Sequence, residues 1–262
     1  MMKILDTLAA CSRARVEKEK SLISPEEMKK RAMLLVEEKK EFPFEQALKK
    51  QDINFICEVK KASPSKGIIA EEFPYLEIAR EYEDAGAACI SVLTEPEYFL
   101  GKNEYLAAIA EEVDIPIIRK DFTVDEYQLY QAKTIGASCV LLICALLDVE
   151  TLKRYIGICD KLGLSALAEA HDEAEIQTAL AAGARIIGVN NRDLRTFEVD
   201  IHNSERLRSL VPEHILFVAE SGIKTAADIQ VLREAKVNGV LIGETFMRSS
   251  DKKGMLKELR GR

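Results

Sequence analysis

Two opposite charges two residues apart in an apolar run are the first sign of chemistry in this chain. Glu58 and Lys60 stand in the stretch from Phe55 to Gly67, F-I-C-E-V-K-K-A-S-P-S-K-G. Its front half is β-prone, with Phe55, Ile56, Cys57 and Val59. Its back half, Ser63-Pro64-Ser65-Lys66-Gly67, is turn chemistry. Side chains two apart on a strand leave the same face, so an acid and a base share one side of an element that is otherwise apolar. Burying them is costly unless they are paired or used, which leaves two readings: a structural ion pair at a strand end, or part of an acid–base site. Later apolar runs end in the same way, in Lys120-Asp121, Glu169, Asn190-Asn191-Arg192-Asp193, Glu220-Ser221-Gly222 and Gly243-Glu244. Gathered on one rim, these groups can donate protons, accept them and hold an anion.

The elements that must do the gathering follow from the rhythm of the chain. Eight short apolar runs, Phe55–Lys60, Cys89–Leu93, Pro116–Lys120, Cys139–Cys144, Leu164–Glu169, Ile186–Asn190, Leu216–Glu220 and Gly239–Gly243, alternate with helix-length segments. Thr123/Glu126, Asp172/Glu175 and Thr225/Asp228 are capping pairs three apart. Gly86, Gly136, Gly163 and Gly183 sit where helices end, just before the next strand. Near-continuous apolar strands with helices between them imply a parallel sheet covered on its outer face. Eight such units fit an α/β (β/α)₈ TIM barrel, typically about 250 residues long. An open doubly wound sheet is the alternative, but K-K-A-S-P-S-K-G is not the glycine-rich dinucleotide turn such a sheet usually carries. Before the first strand, residues 3–50 look helical: Ser24-Pro25-Glu26-Glu27 reads as a capped start, and Pro43 opens a further short helix. The expected organisation is a single domain over residues 1–262, with a helical extension at 1–50 and the barrel at 51–262.

A barrel places its site at the C-terminal strand ends, where the charged residues lie. Alternation then gives directions. With Glu58 and Lys60 inward, Cys57 and Val59 face the helices. With Lys120 inward, Ile118 and Pro116 are inward and Arg119 faces outward. Ser221-Gly222 and Gly243-Glu244 follow strands seven and eight, the usual phosphate position in this fold, where loop amides and a short helix at 244–248 can hold an anion. In that case the Glu244 side chain must point away. Ser63 and Lys61 in the first loop can close over the same group. Glycine pairs also occur as plain turns.

Composition narrows the function classes. The chain has 262 residues, 47% of them hydrophobic, so a full core is available and disorder is not expected. A formal net charge of -7 argues against nucleic acid or an anionic membrane as main partner, while a phosphorylated small molecule remains open to local lysines. No apolar run reaches the ~20 residues of a membrane span, and no signal peptide is read at the N-terminus. The six cysteines form no C-x-x-C pair, and with three histidines no zinc pattern arises. They read as small buried hydrophobes of a protein in a reducing cytoplasm.

With these residues in place, the sequence resembles the indole-3-glycerol phosphate synthase family of tryptophan biosynthesis. The matching stretches are E-V-K-K-A-S-P-S-K-G, S-V-L-T-E, R-K-D-F, V-L-L-I, A-E-A-H, G-V-N-N-R-D-L, V-A-E-S-G-I and L-I-G-E-T-F-M-R, in order from the first strand to the last helix. The resemblance implies a carboxy-lyase that converts 1-(2-carboxyphenylamino)-1-deoxyribulose 5-phosphate to indole-3-glycerol phosphate, carbon dioxide and water, with no metal or organic cofactor. It implies Lys120 as proton donor for ring closure and Lys60 as holder of the substrate carboxylate. Glu169 and Glu58 become acid and base in an order left open, with Asn190, Glu220 and Arg192 orienting. Ser63, Lys61, Ser221, Gly222, Gly243 and Glu244 would hold phosphate, and Phe99, Phe122, Leu141 and Leu194 would wall the aromatic ring. The expected partner is a phosphorylated small molecule, and the expected state a monomer or weak homo-oligomer. Three rivals stand beside this reading. Phosphoribosylanthranilate isomerase-like chemistry wants an inward Cys on strand one and an acid ending strand six. A Schiff-base aldolase would use Lys60 or Lys120 as nucleophile. A non-catalytic phosphate-ligand barrel would carry degraded acid–base positions.

Overall fold

Eight parallel strands close on themselves in the computed structural model, which describes residues 4–38, 41–193 and 198–261. They are β1 (Asn54–Val59), β2 (Cys89–Leu93), β3 (Ile117–Lys120), β4 (Cys139–Ile143), β5 (Ser165–Ala170), β6 (Ile186–Asn190), β7 (Leu216–Glu220) and β8 (Gly239–Ile242). Each pairs with its sequence neighbour, and β1 pairs with β8 to complete the ring. The helices α4 (Tyr75–Ala85), α5 (Asn103–Ala110), α6 (Tyr127–Thr134), α7 (Val149–Leu162), α8 (Glu173–Ala181), α9 (His202–Arg208), α10 (Ala226–Glu234), α11 (Glu244–Met247) and α12 (Lys252–Leu259) lie outside, after α1 (Ile4–Leu22), α2 (Pro25–Leu34) and α3 (Pro43–Leu48) of the extension. Among the described residues no helix is long and apolar enough to cross a membrane.

Strand alternation divides the core in two. Cys57, Val59, Val92, Val140, Ala168 and Val189 belong to the outer cluster between sheet and helices. Ile56, Ile118, Leu141, Leu167, Ile186, Val218 and Leu241 fill the barrel itself. The helix α3 plugs the N-terminal mouth, where Phe44, Ala47 and Leu48 join that inner cluster. The expected glycine terminators all take left-handed φ, between 70° at Gly163 and 88° at Gly86.

Two capping expectations need correction. Thr123 does not cap α6. The helix starts at Tyr127, its N-cap position is Glu126 with no side-chain bond, and the turn is held instead by Asp125 Oδ1 and Gln128 Oε1 accepting from the Tyr127 and Val124 amides at 2.9 and 2.8 Å. Thr123 is buried in the loop. Ser24 does accept from the Glu27 amide at 3.3 Å, but the Glu27 carboxylate pairs with Arg31, so the box is half formed. Thr225/Asp228 closes a full box, and Asp172 caps α8 through the Glu175 amide.

The extension lies against the C-terminal mouth as well as the outer wall. Ser12 Oγ donates to the Phe122 carbonyl at 2.6 Å, Arg15 pairs with Asp121 at 2.7 Å, and Lys20 with Asp125 at 2.8 Å. All three contacts fall on the segment leading from β3 into α6, which also carries Lys120.

Candidate active site

The C-terminal mouth opens into a cavity of about 810 Å³, well matched to a metabolite-sized ligand. At its floor, Lys120 Nζ lies 2.6 Å from Glu220 Oε2 and 3.0 Å from Glu169 Oε2. Beside them Lys60 Nζ pairs with Glu58 Oε1 at 2.5 Å, and Ser91 Oγ donates to Glu58 Oε2 at 3.4 Å. Asn190 Nδ2 donates to Glu169 Oε2 at 3.5 Å, while its Oδ1 accepts from the Arg192 amide at 3.0 Å. β1, β3, β5, β6 and β7 thus each deliver an inward residue or pair at or next to their C-terminal ends to one rim.

The backbone makes room for this cluster at two glycines. A Cβ on Gly188 of β6 would collide with Glu220 Oε1 and Leu167, and one on Gly243 would collide with Glu58 Oε1 and Lys60 Nζ. Glu95, at the end of S-V-L-T-E, accepts from the amides of Glu97, Tyr98 and Phe99, folding the loop after β2 so that Phe99 faces the cavity. Phe99 and Phe122 stand with ring centroids 6.2 Å apart.

Burial and charge set the protonation pattern. Burial works against the Lys120 ammonium, but attraction to Glu169, Glu220 and Glu58 outweighs it, and the pKa ends well above lysine's ordinary value. Burial also pushes Glu169 up, yet Lys120 and His171 overcome it and hold the carboxyl below the usual range. Glu220 goes the other way, to about 7, because burial and repulsion from Glu169 beat the pull of Lys120. The surroundings differ accordingly: His171 Nε2 lies 3.7 Å from Glu169 Oε1, whereas Glu220 Oε1 has no hydrogen-bond partner. Cys57 faces away from the cavity and burial pushes its thiol far up, as inward Glu58 and Lys60 require.

Around the upper wall, Ser63, Ser221, Gly222, Gly243 and Glu244 line the cavity as expected, and so do Arg192, Phe99, Phe122 and Leu141. Ser221 and Gly222 take φ of 68° and 83°, an uncommon value for a serine and one that turns the loop sharply at the pocket edge. Lys61 is placed differently. It does not line the cavity, and its carbonyl accepts from the Ile69 and Ala70 amides to close a small hairpin, 62–63 against 67–68. The basic group this loop offers the cavity is Lys66, which sequence spacing did not single out, together with Arg248 and Lys224 from the loops of β8 and β7. The Glu244 carboxylate is turned to Arg248 at 3.1 Å and Lys66 at 3.8 Å. Leu194 lies outside the described residues. Ile4, Leu5 and Leu8 of α1 complete the apolar wall, a contribution that only the packing of the extension reveals.

Fold and rim together define the class, a (β/α)₈ barrel whose C-terminal mouth opens on a cavity floored by paired lysines and carboxylates. Solved structures share the fold: 3-hexulose-6-phosphate synthase from Salmonella typhimurium aligns with a TM-score of 0.66 at 14% identity, over 80% of this chain and 97% of that one. KGPDC from Streptococcus mutans aligns with a TM-score of 0.63 at 13% identity, over 80% and 97%. Sequence goes further. Residues 5–259 match the indole-3-glycerol phosphate synthase family. The indole-3-glycerol phosphate synthase of Ruminiclostridium cellulolyticum is 59% identical over 98% of this chain and 99% of its own. That of Endomicrobium trichonymphae is 55% identical over 98% and 99%. The chain belongs to the indole-3-glycerol phosphate synthase family.

Proposed function

We propose that the pocket closes the indole ring of 1-(2-carboxyphenylamino)-1-deoxyribulose 5-phosphate through Lys120, Lys60, Glu58 and Glu169, as follows. The activity is that of the family, a carboxy-lyase reaction yielding indole-3-glycerol phosphate. The carrying observation is Lys120, an inward ammonium at the cavity floor held charged by two carboxylates. As the aromatic carbon that bears the carboxylate attacks the ketone, the carbonyl oxygen gains a proton from Lys120. Bond formation at that carbon breaks aromaticity, and loss of carbon dioxide restores it, so no electron sink is needed. Water then leaves with acid assistance, and a base removes the proton from the carbon beside nitrogen.

Lys60 sits beside Glu58 at the same mouth and suits the substrate carboxylate. Glu169, held ionised, suits the base, which leaves Glu58 for the departing hydroxyl. Glu220 and Asn190 orient Lys120 and Glu169, and Arg192 the sugar hydroxyls. Ser63, Ser221, Gly222, Gly243 and the Glu244 amide hold phosphate, with Lys66 and Arg248 supplying the charge that Lys61 does not. Phe99, Phe122, Leu141 and α1 wall the ring. The extension is thus part of the site's cover and not a domain apart. The six free cysteines suit a reducing cytoplasm, where the chain works as a monomer or weak homo-oligomer.

Incubating the chain with the substrate should give the fluorescence of the indole product and carbon dioxide in equal amounts. Turnover without carbon dioxide, or a borohydride-trapped adduct on either lysine, would contradict the scheme. Phosphate holding has its own test. Gly222→Val places a side chain against Val199 at a left-handed φ, and should raise KM far more than it lowers kcat. An unchanged KM removes the phosphate role from this loop.

A further inference from the structure

The A-E-A-H segment ends β5 with Glu169 and, two residues on, His171, which the ring-closing scheme does not use. His171 does not line the cavity. It sits behind Glu169 with both ring nitrogens committed in direction. Nδ1 lies 3.1 Å from Glu175 Oε2, and the same oxygen accepts from the His171 amide at 2.8 Å. That oxygen already accepts from the amide, so the Nδ1 facing it carries the proton. Nε2 is buried without a hydrogen-bond partner and faces Glu169 Oε1 at 3.7 Å. Asn203 of α9 fixes the segment by donating to the His171 carbonyl at 3.1 Å.

We propose that His171 is a positioning residue for Glu169: held as an imidazolium between Glu175 and Glu169, it directs its Nε2 proton at Glu169 Oε1 and so keeps Glu169 ionised, with Oε2 aimed at the substrate. Glu169 divides its oxygens accordingly, Oε2 toward Lys120, Asn190 and the cavity, and Oε1 toward His171. In the working cycle the C–H bond beside nitrogen breaks, its electron pair enters the new ring double bond as water departs, and the proton passes to Glu169 Oε2 while the Nε2 proton stays on His171. The imidazolium rests against Glu175 throughout, and Glu169 gives the substrate proton back to the cavity as product leaves.

The charged and titratable groups facing His171 among the described residues all belong to this account. Glu169 on β5, Glu175 on α8 and Glu220 on β7 raise its pKa above histidine's ordinary value, against the opposing effect of burial. Lys120 on β3 reaches it only through Glu169, and the Cys144 thiol of the loop after β4, pushed up to about 12, stays neutral beside Glu169 and Glu175. Residues 194–197 are outside the described set.

The inference rests on Glu169 being the base, and the experiment separates the two. In wild type, the imidazole resonances of the three histidines are titrated by NMR and assigned through single substitutions. His171 is expected to titrate above the ordinary histidine value and to lose that elevation in Glu175→Gln. His171→Gln should lower kcat roughly tenfold or more, with KM nearly unchanged, and move the acidic limb of the kcat profile to higher pH, because Glu169 loses the cation that keeps it ionised. Glu175→Gln should move it in the same direction by less. If His171 titrates as an ordinary histidine, or if both variants keep the wild-type pH profile while Glu169→Gln is inactive, the role of His171 is refuted and the base role of Glu169 stands. An active Glu169→Gln refutes both.

Discussion

At the N-terminal mouth of the barrel, Glu45 is buried with both oxygens engaged by Arg185, at 2.9 to 3.3 Å, and Asn54 Nδ2 lies within 3.0 to 3.2 Å of four backbone carbonyls. At the C-terminal mouth one ammonium is shared by two carboxylates, and Glu220 Oε1 and His171 Nε2 are left without partners. Both ends bury polar groups, but only the first satisfies the groups just named. A satisfied buried group fixes the fold. A group left short of partners is a cost the fold does not need, and it is found where a ligand can complete it. The contrast recurs within three consecutive residues. Arg119 and Asp121 are tied into a network with Thr94, Gln131 and Arg15, while Lys120 between them reaches Glu169 and Glu220 at the cavity floor.

The comparison can be broken most severely by removing the extension in two lengths. A chain starting near Gln51 loses the α3 plug, exposing the inner cluster around Ile186 and Leu216, and should not fold. A chain starting at Glu41 keeps the plug and should fold, yet lose the Ile4, Leu5 and Leu8 wall and the Arg15 tie, with kcat/KM lower by ~10²-fold. Circular dichroism and steady-state kinetics distinguish the two. Full kcat/KM in the shorter truncation would make the extension structural only.

A smaller change at the bottom is Phe44→Ala, which empties a fully buried site of the inner cluster. It should cost ~3–5 kcal/mol in denaturant unfolding while leaving kcat per folded molecule intact. A fall in kcat would mean that the two ends are coupled through the barrel.

Smaller again is Glu220→Gln at the rim. The folded carboxyl has its pKa raised from 4.5 to about 7, so the native state binds the extra proton. Its contribution to stability is fully present below about 4.5 and is lost as pH rises through about 7. The neutral amide lacks that loss. Glu220→Gln should therefore gain Tm relative to wild type as pH increases across this window, while turnover falls. A Tm difference that does not change with pH would show that Glu220 is ionised throughout.

Much of this is legible in the sequence alone. Period-two alternation separates Glu58 and Lys60 from Cys57 and Val59, and Lys120 from Arg119, because a strand buried on both faces still has two distinct faces. Glycines before strands marked helix ends, since few other residues take that conformation cheaply. What was not legible depends on partners far away in sequence. Lys61 and Lys66 are equivalent as letters, and only the hairpin pairing of 62–63 with 67–68 turns one away and the other in. Thr123 looks like a cap, but Asp125 and Gln128 hold that turn. The Arg15–Asp121 tie spans 106 residues, and the fork between a lowered Glu169 and a raised Glu220 depends on burial and on the arrangement of Lys120, His171 and the two carboxyls around each other. Gly188 reads as an unremarked strand glycine until Glu220 is seen to need its space.

The account stands or falls on Lys120 as the acid of ring closure. Lys120→Met keeps the length of the side chain and removes the proton. Single-turnover measurement of indole formation, paired with equilibrium binding of the substrate, isolates that loss. The expected result is a fall of at least ~10²-fold in the chemical step with substrate affinity largely retained. A chemical step close to wild type would contradict the assignment and move the proton donor to Lys60.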